Sequence, residues 1–225
     1  MIVSSLFLDG ARKLGKGART RARLMDAAAR LFARDGFEAA SVNEITRVAD
    51  VANGTFYVHF RDKDEIAVAV SFAVAQHVVR QLDAAMSDVD DAVERVSLAT
   101  RRFVDLAISQ PDWGRVLFRA VWLFPRLRDE VTAYLRADLE RGVAQCAFRI
   151  TIDDIVLDTI AAMSASALFG RLQGAFGLEA GSRMAELQLR MLGVDPERAR
   201  DVAWRPIPLL SLELEPTDEQ VARIT

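Results

Sequence analysis

Residues 41–63 read SVNEITRVADVANGTFYVHFRDK, and this stretch decides the fold of the chain. Ser41 precedes Glu44 by three residues, which is the spacing of a capping box, and apolar residues then recur at helical intervals. Residues 50–52 break that pattern, and residues 53–60 place polar side chains among apolar and aromatic ones. The stretch therefore predicts two short helices joined by a tight turn, which is the shape of a helix-turn-helix DNA-binding unit.

Five side chains of this unit have the chemistry to contact DNA. Ser41 offers a hydroxyl at a helix N-terminus, where free N–H groups also suit a phosphate oxygen. Thr55 and Tyr57 have the reach for base edges, thymine methyl groups and phosphates. His59 and Lys63 suit phosphates, although a half-buried histidine without any DNA contact is the alternative for His59.

Two further residues at the start of the second helix are candidates for DNA contact. Gly54 removes a side chain where a DNA backbone could approach closely. The amide of Asn53 can pair with N6 and N7 of adenine, and the alternative is an outward asparagine that is simply solvated.

The segment GTFYVHFRDKDEI closely resembles the recognition-helix signature of the tetracycline-repressor (TetR) family of bacterial transcription regulators. The resemblance extends back through TRARLMDAAARLFARDGFEAASVNEI and covers about residues 19–70. It implies an all-α fold, with an N-terminal three-helix helix-turn-helix domain and a helical C-terminal domain for ligand binding and dimerisation. It also implies DNA contacts at Ser41, Gly54, Thr55, Tyr57, His59 and Lys63.

The sequence departs from the family pattern at two positions. Asp50 stands where glycine is usual, but aspartate tolerates the left-handed conformation better than most residues, so we expect the turn to survive. Ala52 stands where a serine commonly caps the recognition helix, and alanine is a poor cap.

Composition and cysteine content narrow the class of protein. The chain has 225 residues, of which 51% are hydrophobic and 27% charged, as in ordinary soluble globular proteins. A single cysteine, Cys146, excludes an intramolecular disulfide, and with only His59 and His77 besides it we expect neither a metal site nor a cofactor. The N-terminal apolar run precedes the basic residues and is too short to span a bilayer, so we expect a cytoplasmic protein without membrane contact.

The basic residues are concentrated at the N-terminal end. Residues 1–64 contain 11 Lys and Arg against 8 Asp and Glu, a net charge of +3, whereas the rest contains 18 against 24, a net charge of −6. We predict a flexible basic arm over residues 1–18, which either follows DNA or is a solvated tail, and we add Arg19 and Arg21 to the candidate DNA contacts.

Periodicity divides the rest of the chain into helices. The predicted domains are the DNA-binding domain at 19–64, an effector-binding and dimerisation domain at 65–204, and a C-terminal tail at 205–225 without an assigned role. After a first helix over 20–34, we predict helices at 62–85, 90–109, 112–123, 127–148, 153–176, 181–192 and a last short one ending at Trp204.

Aromatic residues and a methionine of the second domain are candidates for a ligand pocket, although plain core is the alternative for each. Because family members commonly enclose a cavity among these helices, the resemblance favours a largely apolar or aromatic ligand. The predicted lining is Phe103, Trp113, Phe118, Trp122, Tyr134, Met163 and Phe169.

Residues 159–170 carry no charge, so this helix must be covered nearly all round. Small side chains there allow another helix to approach closely. We predict that this helix and the next meet their copies in a homodimer, as in the family, and an intrachain core is the alternative. The predicted interface is Ala161, Ala165, Leu168, Met184, Leu187 and Met191.

The sequence features fit two functions and argue against a third. The first is a homodimeric repressor that a small ligand releases from a palindromic DNA operator. The second is a DNA-binding regulator that answers to a protein partner or to no ligand. An enzyme is not expected, because the sequence contains no nucleophile with a plausible histidine and aspartate set, no paired metal ligands and no phosphate-binding glycine loop.

Overall fold

A computed structural model describes Phe7, residues 15–123 and residues 125–207, without the side chains of residues 120–123 and 125–131. Helices are the only regular elements in this described part, which confirms the all-α prediction. They are α1 (Lys16–Asp35), α2 (Val42–Ala49), α3 (Asn53–His59), α4 (Lys63–Ala84), α5 (Ala92–Ser109), α6 (Pro111–Leu123), α7 (Pro125–Ala144), α8 (Asp154–Leu172), α9 (Ala180–Met191) and α10 (Pro196–Trp204).

The predicted capping box begins α2. The Glu44 amide donates to Ser41 Oγ at 3.2 Å, and the Ser41 amide donates to Glu44 Oε2 at 3.2 Å. These two bonds satisfy backbone donors that a helix start leaves without partners. Helix α3 lacks such a cap, because Ala52 precedes it and makes no side-chain hydrogen bond.

The turn between α2 and α3 is held from α1. Asp50 adopts the left-handed conformation, with φ at 52°, and ends α2. The Arg23 guanidinium donates from Nη2 to the Asp50 carbonyl oxygen at 2.9 Å and to its Oδ2 at 3.2 Å. The aspartate that replaces the usual glycine thus supplies a carboxylate to a neighbouring helix.

The core of the DNA-binding head continues into the rest of the molecule. Phe32 and Phe56 are fully buried, and the same apolar cluster includes Val74 on α4 and Trp113 and Leu117 on α6. Helix α4 is capped by Asp62, whose Oδ1 accepts from the Glu65 amide at 2.8 Å. The head is therefore packed along one face of α4 and α6.

A second apolar cluster lies in the far half of the protein, among α5, α7, α8, α9 and α10. Its fully buried members include Val93, Leu139 and Leu189. The Arg198 guanidinium donates to Asp91 Oδ2 at 2.6 Å, which ties α10 to the start of α5.

Three helix bounds differ from the sequence prediction by four residues. Helix α1 begins at Lys16, four residues early, so Arg19 lies on a helix rather than next to an arm. Helix α7 ends at Ala144 because the chain turns back, with the Phe148 ring over Gly142. Helix α8 ends at Leu172 for the same reason, with the Phe176 ring over Gly170.

The predicted arm and tail fall mainly outside the described residues. Of residues 1–14 only Phe7 is described, and it is buried in the core of the head, so this position is not part of a free arm. Residues 208–225 lie outside the described part of the chain.

Candidate nucleic-acid interface and ligand cavity

The outward face of α3 is exposed to solvent. Phe56 is fully buried and Phe60 nearly so, and they anchor the helix to the head. Tyr57 is 58% exposed and Val58 is 78% exposed, so both point away from the core. Asn53 is exposed as well, which places an amide, a phenol and an aliphatic side chain on one surface.

Val58 is a candidate that sequence reasoning missed, since it was counted with the apolar Phe56 and Phe60. Those two residues are four apart and share one helix face, which puts Val58 on the opposite face. This spacing is the signal that could have identified it. An exposed aliphatic side chain suits the C5-methyl group of thymine.

Gly54 lies in the first turn of α3 and faces open space. A Cβ atom built at this position meets no other atom within 4 Å. The fold therefore does not require glycine there, although glycine costs about 1 kcal/mol relative to alanine in a helix.

Three other predicted DNA contacts already have partners within the protein. The Ser41 hydroxyl lies 2.9 Å from Glu44 Oε2, to which it donates. Lys63 Nζ donates to the Glu38 carbonyl oxygen at 3.1 Å. The Arg21 guanidinium lies over the Phe60 ring, 4.7 Å from its centroid.

His59 and Thr55 are half-buried, and Arg19 is exposed near the start of α1. Burial lowers the pKa of His59 below its ordinary value, and the positive charge of Arg21 lowers it further. The imidazole is consequently neutral at pH 7 and can offer one N–H donor to a phosphate.

The candidate ligand site is a cavity of about 130 Å³ between α4, α5, α6, α7 and α8. Its walls are mainly aliphatic, and polar side chains are few. The lining residues are Ala75, Val78, Val79, Leu82, Asp83, Met86, Val96, Ala99, Thr100, Phe103, Leu117, Thr132, Tyr134, Leu135, Asp138, Ile160, Ala161, Ser164 and Ala165.

Of the predicted pocket residues, Phe103 and Tyr134 line this cavity, and four others do not. Trp113 packs edge-on against His77, with ring centroids 5.3 Å apart. Phe118 stacks on Phe169, with centroids 4.3 Å apart. These rings pair with other rings instead of facing the cavity. Met163 is half-buried elsewhere on α8, and the side chain of Trp122 lies outside the described part.

One end of the cavity carries a buried hydrogen-bond network. The Thr100 hydroxyl donates to Gln188 Oε1. Gln188 Nε2 donates to the Ile160 carbonyl oxygen at 3.1 Å and to Ser164 Oγ at 2.9 Å. Gln188 is fully buried, so α5, α8 and α9 are joined by one amide.

A second polar group lies near the junction of α4 and α5. The buried guanidinium of Arg95 donates from Nε to Asp138 at 2.6 Å and from Nη2 to Asp83 at 2.7 Å. Arg95 Nη1 donates to the Met86 carbonyl oxygen at 2.6 Å. The cation is therefore engaged by two carboxylates and a carbonyl.

The structure corrects the predicted dimer interface at three positions. Ala161 and Ala165 line the cavity, and Leu168 is fully buried in the core of its own chain. Leu187 is exposed, while Met184 and Met191 are half-buried. Uncharged residues on every side of α8 gave the sequence no signal for which side faces outward.

The outward side of α8 is an uncharged stripe with helical spacing. It consists of Ile155, Thr159, Ala162, Ser166 and Phe169. Helix α8 is also long and apolar enough to cross a membrane by length and composition, but a core helix of a soluble protein passes the same test. Here its other sides pack on α5, α6, α7 and α9.

The cavity and the head are connected through α6. Leu117 lines the cavity, and Arg119, two residues later, donates from Nη1 to the Phe32 carbonyl oxygen in the last turn of α1.

Among the described residues, no cluster of histidine, cysteine and carboxylate side chains is suited to hold a metal ion.

Comparisons with known proteins match both halves of the chain. Residues 24–70 match the model of bacterial regulatory proteins of the tetR family, and residues 91–205 match the tetracyclin repressor-like C-terminal domain. The HTH-type transcriptional repressor Rv1474c of Mycobacterium tuberculosis (strain ATCC 25618 / H37Rv) is 29% identical over 162 residues, which are 66% of this chain and 84% of that protein.

Two further matches are to proteins that are described together with a small molecule. The HTH-type nicotine-responsive transcriptional repressor HdnoR of Paenarthrobacter nicotinovorans is 34% identical over 90 residues, 40% of this chain and 44% of that protein. The crystal structure of RolR in complex with the ligand resorcinol is 27% identical, with a TM-score of 0.61, and the match covers 86% of this chain and 97% of that one.

Proposed function

Because the chain belongs to the tetR family of bacterial regulatory proteins, it is a DNA-binding transcription regulator, and we propose that it acts as a homodimeric repressor. In this proposal a small, largely apolar or aromatic ligand releases the dimer from a palindromic operator. The main support for this proposal is that the head exposes one face of α3. The core of the same head continues into helices that line a cavity. We accordingly propose a cytoplasmic location, since the DNA of a bacterium lies there.

The proposed DNA surface is the outward face of α3. Asn53, Tyr57 and Val58 are exposed there and would enter the major groove, where base edges can be distinguished. Gly54 would allow the DNA backbone to come close. Arg19 and His59 would contact phosphates, which fix the register of a protein on the duplex but do not identify the bases.

Homodimerisation is proposed because the uncharged outward stripe of α8 is largely exposed on a single chain. An uncharged helix face that is exposed on one chain is typical of a surface that meets another protein. A second copy of α8 and α9 would bury the stripe from Ile155 to Phe169 together with Leu187. Two recognition helices at a fixed spacing would then read the two halves of a palindrome.

The proposed switch acts through α4 and α6. Both helices line the cavity, α4 begins just after the recognition helix, and Arg119 of α6 holds the end of α1. A ligand that fits the cavity better in one arrangement of these helices would favour that arrangement. It must bind the DNA-bound and the released state differently, because otherwise nothing switches.

The similar proteins support a small-molecule effector. HdnoR is named as nicotine-responsive, and RolR was crystallised with resorcinol. A cavity of about 130 Å³ with mostly aliphatic walls suits a ligand of about that size.

The proposal is tested by fluorescence anisotropy with duplex DNA from upstream of the protein's own gene. We expect specific binding that weakens steeply with salt, with a slope of about −0.9 per phosphate contacted. A scrambled duplex of the same length is the control. Equal binding of both duplexes would argue against a specific operator, and no binding at low salt would refute the proposed function.

A further inference from the structure

We propose that the ligand of the cavity carries an O–H or N–H hydrogen-bond donor and no negative charge. This inference rests on the proposed function and names the chemical class of its effector. It follows from the hydrogen-bonding positions that Thr100, Ser164, Asp83 and Asp138 offer in the cavity wall once their internal bonds are made.

The orientation of the Gln188 amide is the first step. The Ile160 carbonyl oxygen can only accept, and it lies 3.1 Å from one end of this amide. That end must therefore be the NH₂ group, which leaves Oε1 facing Thr100. Because Oε1 can only accept, the Thr100 hydroxyl must donate its single proton to it.

The second step is the hydrogen-bonding capacity that remains. Thr100 has used its donor, so toward the cavity it offers only lone pairs of Oγ1. Ser164 accepts from Gln188 at 2.9 Å and donates to the Ile160 carbonyl at 3.0 Å, which also leaves a lone pair as its free position. This end of the cavity accepts hydrogen bonds and has no donor to spare.

The third step concerns charge. Asp83 and Asp138 line the cavity, and carboxylates accept hydrogen bonds and repel anions. The nearby cation of Arg95 is already held by both of them and by the Met86 carbonyl oxygen. The described walls consequently offer an anionic ligand no unengaged positive partner.

The cavity is comparable in size to one that holds a single ring. A cavity of roughly 150 Å³ with apolar walls is large enough to hold benzene. The cavity described here is about 130 Å³, and aliphatic side chains such as Val78, Leu82 and Leu117 form most of it. A single apolar ring with one hydroxyl or amine group meets both the size and the hydrogen-bonding pattern.

The test compares three single-ring probes with the full-length protein by isothermal titration calorimetry. Phenol carries a donor, anisole replaces that donor with a methyl ether, and benzoate carries a negative charge. One hydrogen bond is worth about a three- to tenfold difference in dissociation constant, so we expect phenol to bind that much more tightly than anisole. We expect benzoate to bind weakest of the three.

Two variants of Thr100 identify the acceptor. Thr100→Val has nearly the same shape and should reduce the preference for phenol over anisole. Thr100→Ser keeps the hydroxyl and should retain it. Thr100→Val leaves Gln188 Oε1 without its partner, so Ser164→Ala, which preserves the bond between Thr100 and Gln188, is measured alongside and should reduce the same preference.

Anisole or benzoate binding as tightly as phenol would overturn the inference, as would no binding of any probe at millimolar concentration. The operator assay separates this failure from failure of the proposed function. If another small molecule releases the protein from its upstream DNA while phenol does not bind, only the ligand class is wrong. If the protein does not bind that DNA at all, the proposed function itself is wrong.

Discussion

Arg119 on α6 and Phe32 on α1 are joined by a hydrogen bond from the guanidinium to the main-chain carbonyl oxygen. The same guanidinium lies 3.4 Å from the position that a Cβ atom on Gly36 would occupy, so it fills the space behind the end of α1. This contact links α6, whose Leu117 lines the cavity, to the DNA-binding head.

Arg119→Met should uncouple ligand binding from DNA release. The variant loses a charged hydrogen bond, which stabilises a protein by about 1.5–3 kcal/mol, but keeps much of the aliphatic packing. We expect nearly unchanged operator affinity without ligand and a smaller ligand-induced loss of affinity, both measured by anisotropy. Arg115→Met is the matched control, since the Arg115 guanidinium on the same helix pairs with nearby Asp112. An undiminished ligand response would show that α6 does not carry the signal.

Tyr57→Ala should weaken operator binding without unfolding the protein. Tyr57 is largely exposed, so its loss removes a surface contact and leaves the buried Phe56 and Phe60 in place. A good base contact is worth about 1–3 kcal/mol, which corresponds to about a 5- to 150-fold loss of affinity. Circular dichroism checks the fold. Unchanged affinity would place the DNA surface elsewhere on the molecule.

Operator binding should strengthen as the pH falls through the ordinary pKa of His59, about 6.5. Burial and Arg21 keep the pKa of His59 below that value in the free protein, so the folded state binds fewer protons there than the unfolded chain. The stability due to this shift is present above the ordinary pKa and declines as the pH falls toward the lowered one. A phosphate beside the imidazole would raise its pKa, so DNA binding should take up a proton.

Anisotropy titrations between about pH 5.5 and pH 7.5 measure this linkage directly. His59→Gln is the control, because glutamine keeps a donor but cannot be protonated in this range. The variant should bind with a flatter pH dependence. If operator affinity depends on pH as steeply in the variant as in the wild type, His59 does not contact a phosphate.

Asp50→Ala should destabilise the head by about 1 kcal/mol, and Asp50→Gly should not. Both variants lose the carboxylate that Arg23 contacts, but this pair is exposed and contributes little. Only glycine adopts the left-handed conformation at φ 52° without cost. Urea unfolding of the two variants compares them directly, and equal stabilities would mean that the conformation at residue 50 stores no strain.

Ser166→Arg should convert the proposed dimer to monomers. Ser166 is exposed in the middle of the uncharged stripe on α8, and two copies of the new charge would face each other across a two-fold axis. Ala137→Arg, an exposed position on α7, is the control and should remain dimeric. Light scattering gives the mass of each variant. A dimer that survives Ser166→Arg would exclude this face as the interface.

Local signals in the sequence predicted the helix-turn-helix unit well. Ser41 with Glu44 and Asp62 with Glu65 define helix starts within three residues of sequence, so no distant contact is needed to find them. The start of α1 was harder, because Gly15 precedes it without a side-chain cap.

The contacts that were missed join residues far apart in sequence. Arg23 reaches Asp50, and Arg119 reaches Phe32, and no local pattern indicates either pair. The cavity was predicted to be lined by aromatic rings, whereas aliphatic residues from five helices, α4 to α8, form most of its walls. Periodicity shows that such residues are inside a protein, but a cavity is a property of how several helices are spaced.

The shared core of the head and α6 has a consequence for how this protein can evolve. If the head were exchanged at residue 64 for that of a relative, the new head would have to pack against α4 and α6 at Val74, Trp113 and Leu117. The incoming head would have to supply matching side chains there, or the chimera would contain voids. We therefore expect the DNA specificity of this protein to change more readily by substitution of the exposed side chains of α3 than by replacement of the whole domain.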